Sequence, residues 1–305
     1  MPSRSAPGGR GGAVALVLAG ALSLQFGAAL AASLFPMAGP LGVVTLRLGV
    51  AAVVLLAVAR PAVRGYGRRD WAVVISFGLA LAAMNASFYQ AIDRVPLGVA
   101  VTLEFLGPLG LAVVGSRRLV DLVWVALAGT GVLLLGEAGT AGDAGSLDPL
   151  GVGFALLAGA CWAAYILLAA RAGARFPRAD GLALAMAIGA VAVLPFGVVD
   201  AGAALLDTRV LLLGAGVALL SSVLPYTLEL MALRRLSPGT FGVLMSLEPA
   251  VAALAGWLVL DQALGAWQSL AIALVVVAGA GAVRSGRPAD AGPRSRPAAE
   301  EGADG

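Results

Sequence analysis

The sequence predicts an all-α integral membrane protein whose ten transmembrane helices form two inverted five-helix repeats. Three observations predict it. Of 305 residues, 60% are hydrophobic and 12% charged, with a mean hydropathy of +0.95. A soluble chain is about 45–50% apolar and about 25% charged, so the charge here is too sparse to solvate a surface. Ten apolar runs, each near the roughly 20 residues that a bilayer-crossing helix needs, follow one another along the chain. Short strings then recur at an offset of about 140 residues.

The runs lie near 13–35, 41–59, 71–92, 97–115, 119–137, 150–171, 181–199, 210–233, 239–259 and 264–283. Backbone polar groups in hydrocarbon must bond internally, and continuous runs of this length do so as helices rather than barrel strands. The first is preceded by Arg4 and Arg10, and Ala29-Leu30-Ala31 resembles a cleavage site. Its apolar stretch exceeds the roughly 7–15 residues of a signal-peptide core, so it reads as a retained span.

Arginine sets the orientation. With the N-terminus inside, the inner segments carry Arg4, Arg10, Arg60, Arg64, Arg68, Arg69, Arg117, Arg118, Arg171, Arg175, Arg178, Arg234 and Arg235. The tail adds Arg284, Arg287, Arg294 and Arg296, which makes 17 inside against Arg94 and Arg209 outside. By the positive-inside rule both termini are cytoplasmic. These arginines sit in gaps between apolar runs rather than on one face, so the basic balance predicts no nucleic-acid partner. The predicted organisation is a cytoplasmic segment 1–12, a first five-helix unit 13–137, a periplasmic linker 138–149, a second unit 150–283 and a disordered cytoplasmic tail 284–305.

Leu18-Ala19-Gly20-Ala21 recurs as Leu157-Ala158-Gly159-Ala160. Ala91-Ile92-Asp93-Arg94-Val95-Pro96 parallels Ala232-Leu233-Arg234-Arg235-Leu236-Ser237, and the same spacing brings Pro108 onto Pro249. Five spans is an odd number, so the second copy enters upside down. Such repeats are the architecture of secondary transporters, with the substrate near the midplane. Two stripes of small residues, Ala15-Ala19-Ser23-Gly27-Ala31 and Gly151-Ala155-Gly159-Ala163, are spaced for close helix packing.

Four charges fall inside spans: Arg47, Glu104, Glu229 and Glu248. Each costs about 2.5–3.5 kcal/mol at a helix centre, so each must face a partner, the bundle interior or a wet cavity. Arg47 and Glu104 are opposite in sign and near mid-span, which predicts a buried pair serving either transport or fold specificity. Glu248 precedes Pro249 and Glu229 follows Pro225, where a proline frees a carbonyl and bends the helix. Gln25, Asn85, Tyr89, Tyr226 and Ser246 are the predicted polar lining. Gln25 and Asn85 each donate and accept, which suits a zwitterion. The fifth and tenth spans lack central charge and read as peripheral packing helices.

Several chemistries are excluded. Histidine is absent and Cys161 is the only cysteine, so no His-based site, CxxC pair or zinc cluster is encoded. There is no GxxxxGK[ST] motif for ATP and no acidic pair for a magnesium–diphosphate. No selectivity-filter-like loop appears. No enzyme activity, metal or cofactor is predicted.

The chain resembles the EamA-type transporters of the drug/metabolite transporter superfamily, among them bacterial inner-membrane exporters of threonine and homoserine. The resemblance runs through Ser33-Leu34-Phe35-Pro36, Thr45-Leu46-Arg47-Leu48, Met84-Asn85, Val95-Pro96-Leu97-Gly98, Leu103-Glu104-Phe105 and Gly107-Pro108. It continues in Ser116-Arg117-Arg118, Gly159-Ala160-Cys161-Trp162, Arg171-Ala172-Gly173-Ala174, Leu224-Pro225-Tyr226, Phe241-Gly242 and Leu244-Met245-Ser246-Leu247-Glu248-Pro249-Ala250. These strings cover roughly residues 13 to 284. The resemblance implies export of small neutral amino acids or related metabolites across the inner membrane, with protons as the coupling ion. Arg47 would then bind a carboxylate or hold Glu104, and Glu104 would meet an amino group or carry the proton. Glu229 and Glu248 are further substrate or proton candidates. Export of other metabolites or drugs by the same fold, and a non-transporting membrane enzyme or scaffold, are the alternatives that an efflux panel separates.

Overall fold

A computed structural model describes residues 8–114, 120–137, 147–177, 179–233, 236 and 238–285; the side chains of a few helical residues, Tyr226 among them, lie outside the description. Residues 138–146 of the predicted linker 138–149, residues 286–305 of the predicted tail 284–305, and Arg117, Arg118, Arg178, Arg234 and Arg235 also lie outside it. Among the described residues there is helix and turn and no β-strand. Among the described residues, eight helical stretches are long and apolar enough to cross a bilayer, and shorter apolar stretches, Leu97–Leu111 and Leu122–Leu134, occupy the places of the predicted fourth and fifth spans. The protein is therefore all-α and multi-pass.

In chain order the helices are α1 (Gly8–Ser33), α2 (Phe35–Ala59), α3 (Arg68–Ile92), α4 (Leu97–Glu104), α5 (Leu106–Val114), α6 (Val120–Glu137) and α7 (Pro149–Gly173). They continue as α8 (Asp180–Ala201), α9 (Thr208–Ala218), α10 (Leu224–Leu233), α11 (Pro238–Met245), α12 (Glu248–Leu260) and α13 (Ala266–Ser285). A short 3-10 turn covers Gly202–Leu206, and a π-turn, Leu219–Val223, joins α9 to α10.

Three features differ from the sequence expectation. The first two helices start earlier, at Gly8 and Phe35 instead of 13 and 41, and α2 kinks at Gly39 (φ 61, ψ 162) before Pro40. That backbone region is open essentially to glycine alone, and a Cβ there would strike the Asp200 carboxylate. Asp200 instead accepts from the Leu41 N–H (2.8 Å) and the Gly42 N–H (3.4 Å), capping the helix that restarts after the kink. The second difference is that the fourth and ninth spans are each broken in mid-course, at Phe105 and at Ser246-Leu247. Pro108 and Pro249 follow the breaks, since proline cannot donate back into the preceding turn. The third is that the small-residue stripe of α1 is only half used: Ala15 and Ala19 are exposed, whereas Ser23, Gly27 and Ala31 are buried. On α7, Gly151, Ala155 and Gly159 are buried and Ala163 is half-buried.

α2 packs along α8, α3 along α7, α1 against α10 and α12, α4 against α12 and α7, and α6 against α13. The pairing of α6 with α13 at the side fits their lack of central charge. Gly159 lets the broken fourth span approach α7 closely, since a Cβ on it would lie 2.6 Å from the Glu104 carbonyl oxygen. Large apolar side chains such as Val53, Leu133 and Val191 stay exposed on the outer faces, as a lipid-facing surface requires.

Candidate functional site

A cavity of about 180 Å³ lies at the two helix breaks. That is below the roughly 300–1,000 Å³ typical of drug-sized sites and suits a small metabolite. Six of the nine predicted residues line it: Gln25 from α1, Arg47 from α2, Asn85 from α3, Glu104 from the end of α4, Glu229 from α10 and Glu248 from the start of α12. Leu24, Met84, Phe88, Trp162, Tyr165 and Met245 complete much of its apolar wall. The sequence reasoning did not assign these, because nothing in residue type separates a cavity-facing aromatic or methionine from a lipid-facing one.

Arg47 is buried and held from three sides. Its Nε donates to Ser222 Oγ (3.3 Å), Nη1 to the Tyr89 hydroxyl (3.2 Å) and Nη2 to the Ser221 carbonyl (3.0 Å). The Tyr89 ring also lies beneath the guanidinium, 5.6 Å from its carbon to the centroid. Ion pairs among the described residues join Arg94 to Asp93 and Asp148 and Arg175 to Asp70. Arg47 and Glu104 share the cavity, and the three neutral acceptors help to orient the arginine.

The acids differ in surroundings. Glu104 ends a half-helix, whereas Glu248 opens one, in the first turn of α12. Glu248 is 2% exposed, and its Oε1, like the Oε1 of Gln25, is a buried acceptor without a hydrogen-bond partner among the described residues. Two such acceptors on one cavity form a wall suited to a donor such as an ammonium group. Glu229 is half-buried beside α1, where its Cγ lies 3.6 Å from the position a Cβ on Gly20 would take. Asn85 donates to the Leu81 carbonyl of its own helix (2.9 Å).

Two predicted lining residues serve otherwise. Tyr89 is fully buried behind Arg47, and Ser246 is buried in the break of the ninth span, donating to the Val243 carbonyl (2.7 Å). The Tyr226 side chain lies outside the described residues. Ser221 and Ser222 were missed as site residues. Their signal was a serine pair three and four residues before a proline inside an apolar run.

The EamA-like transporter family model matches residues 149–283. The threonine/homoserine exporter RhtA of Salmonella typhimurium strain LT2 is 45% identical over 259 residues, covering 85% of this chain and 87% of that protein. The chain belongs to the EamA-like transporter family. RhtA of Escherichia coli K12 is 43% identical over 268 residues, 88% of this chain and 90% of that one. A crystal structure of a 20% identical protein shares the fold, with a TM-score of 0.61 over 90% of this chain and 97% of the other. As an EamA-like transporter the protein belongs to a transport class rather than to an enzyme class, and it is related to exporters.

Proposed function

We propose that this transporter is a secondary active exporter of small neutral amino acids, threonine- or homoserine-like, working by alternating access in a bacterial inner membrane. The observation that carries the proposal is the cavity itself. One arginine and three glutamates from both halves of the chain converge on a space of metabolite size, in a chain that is 43–45% identical to threonine/homoserine exporters over most of its length. Arg47 receives the substrate carboxylate, and its fixed guanidinium suits that planar group. The acids and the Gln25 carbonyl face the amino group. A zwitterion adds no net charge to one arginine and three glutamates, so the site has carboxylates to spare for protons. Glu104 is the first candidate carrier, with Glu229 and Glu248 behind it.

The proposed frame is two five-helix units, 13–137 and 150–283, inverted with respect to each other. The contacts support it: exchanging the halves turns the packing of α3 on α7 into that of α9 and α10 on α1, while α2–α8 and α6–α13 map onto themselves. Both termini are proposed to be cytoplasmic, from the arginine asymmetry. A cysteine at position 65 is then expected to be protected from an impermeant thiol reagent added outside, and labelling there overturns the topology.

Efflux of a panel of amino acids from overproducing cells tests the substrate class. Glu104→Gln keeps size and an acceptor but carries no proton, so membrane abundance is expected to stay near wild type while export falls at least tenfold. Wild-type export from that variant removes Glu104 from the proton path. Equal efflux of unrelated drugs by the wild-type protein overturns the amino-acid assignment.

A further inference from the structure

The eighth span departs from regular α-helix where it passes the cavity. Over Leu219–Val223 it is a π-turn, and the Leu224 N–H returns to the Leu219 carbonyl, five residues back. In an α-helix that N–H would meet Leu220. One residue further on, Pro225 has no N–H to offer the Ser221 carbonyl, four residues back. Two consecutive carbonyls therefore lose their α-helical donors, next to side chains that are buried. Buried backbone acceptors are almost always paired, and here each is met from another helix. Ser23 Oγ of α1 donates to the Leu220 carbonyl (2.6 Å), and Arg47 Nη2 of α2 donates to the Ser221 carbonyl (3.0 Å). Gly27 allows this approach, since a Cβ on it would lie 3.0 Å from both the nitrogen and the Cβ of Ser221.

We infer that Pro225 and Ser222 are positioning residues for Arg47: the backbone break that Pro225 maintains, together with the Ser222 hydroxyl, aims the guanidinium into the cavity. The Ser221 carbonyl, the Ser222 hydroxyl and the Tyr89 hydroxyl are neutral acceptors, and they fix where the guanidinium points. π-turns are concentrated at functional sites, and this one lies on the second half of the chain while the arginine it holds lies on the first. The inference rests on the reading that Arg47 receives the substrate carboxylate.

The test compares L-threonine with L-threonine amide, which keeps the ammonium and lacks the carboxylate, in proteoliposomes of the full-length protein. Pro225→Ala restores an N–H to the Ser221 carbonyl, and Ser222→Ala removes the Nε acceptor. Each is expected to lower the preference for threonine over its amide about tenfold, through a higher half-saturation concentration for threonine alone. Ser222→Thr keeps the hydroxyl and is expected to restore the preference. Ser23→Ala disturbs the neighbouring carbonyl without touching Arg47 and is expected to leave the preference unchanged; an equal loss there makes the effect general disruption and overturns the inference. If Arg47→Lys abolishes the preference while Pro225→Ala and Ser222→Ala keep it at wild-type abundance, the positioning role falls and carboxylate docking stands. If Arg47→Lys itself keeps the preference, the docking reading falls first.

Discussion

The two ends of the helix bundle are built differently. At the end that carries the turns near residues 34, 93–96, 202–207 and 261–265, both halves of the chain share one continuous buried core, from Ala28 and Leu34 through Leu97 and Val101 to Ala252 and Ala255. α4 crosses α12 there, with Gly98 so close that a Cβ would lie 2.8 Å from the Ala253 Cα. Gln262, beyond α12, accepts from the Leu97 N–H that opens α4 (2.9 Å). At the opposite end the described core residues fall into three clusters. One joins α3, α7 and α8 around Phe77, Phe176 and Leu184; a second joins α1 and α10 around Val17 and Ala232; a third joins α5, α6 and α13 around Leu109 and Ala278. α5 packs on α6, α7 and α13, and α11 on α1 and α13, without a counterpart of the α4–α12 crossing among the described residues. The cavity lies where the single core forks. Closure on one side and division on the other are what a carrier loading from the divided side requires, and under the proposed topology that side is cytoplasmic.

The largest expected effect comes from wedging the closed end. Gly98→Leu forces a side chain into the α4–α12 crossing, and overpacking of this kind costs about 1–3 kcal/mol. Because among the described residues this packed contact has no counterpart at the other end, the strain is expected to fall on one state of the cycle. Export is expected to drop more than tenfold. A cysteine replacing Met84 in the cavity, in a Cys161→Ser background, is expected to gain more than tenfold in far-side reactivity when Gly98→Leu is present. Unchanged labelling together with normal export breaks the comparison.

Removing Gln262 is a milder version of the same experiment. Its carbonyl oxygen acts as a cap for the first turn of α4, supplied from another helix, and losing a helix cap costs about 1 kcal/mol. Gln262→Ala is therefore expected to raise far-side labelling at position 84 by roughly fivefold, with abundance near wild type. No change in labelling means that the closed end is held by side-chain packing alone.

Much of this was legible from residue type. A charge or an amide within an apolar run has to reach a wet or polar place, so Gln25, Arg47, Asn85, Glu104, Glu229 and Glu248 were found on the cavity that the structure contains. What holds Arg47 was not legible. Its acceptors include a backbone carbonyl released by a proline on a helix from the other half, and a pairing rule built on side-chain charges finds only Glu104. The helix breaks were half visible, as Pro108 and Pro249, but a proline in a span announces a bend rather than a full interruption. Trp162 lines the cavity, whereas Trp257 is 58% exposed on the outer face. Both sit in apolar helices and look alike in sequence.

The smallest effect is expected at the divided end. Asp70 and Arg175 form an ion pair there (2.9 Å), with their side chains 29% and 41% exposed. The pair joins α3 to the turn that follows α7, beside the contact of the Tyr66 and Phe176 rings (4.5 Å), next to one of the three clusters of described residues. It ties helices that are already packed along their length, so it bridges nothing that has to separate. An exposed pair of this kind is also screened by salt and offset by the entropy of holding two side chains. Asp70→Asn is expected to leave abundance and export within twofold of wild type and to leave labelling at position 84 unchanged from either side. Were Asp70→Asn to rival Gln262→Ala in its effect on labelling, the divided end would also hold a contact that governs access. The contrast between a closed end held across both halves and an open end held only within its clusters would then fail.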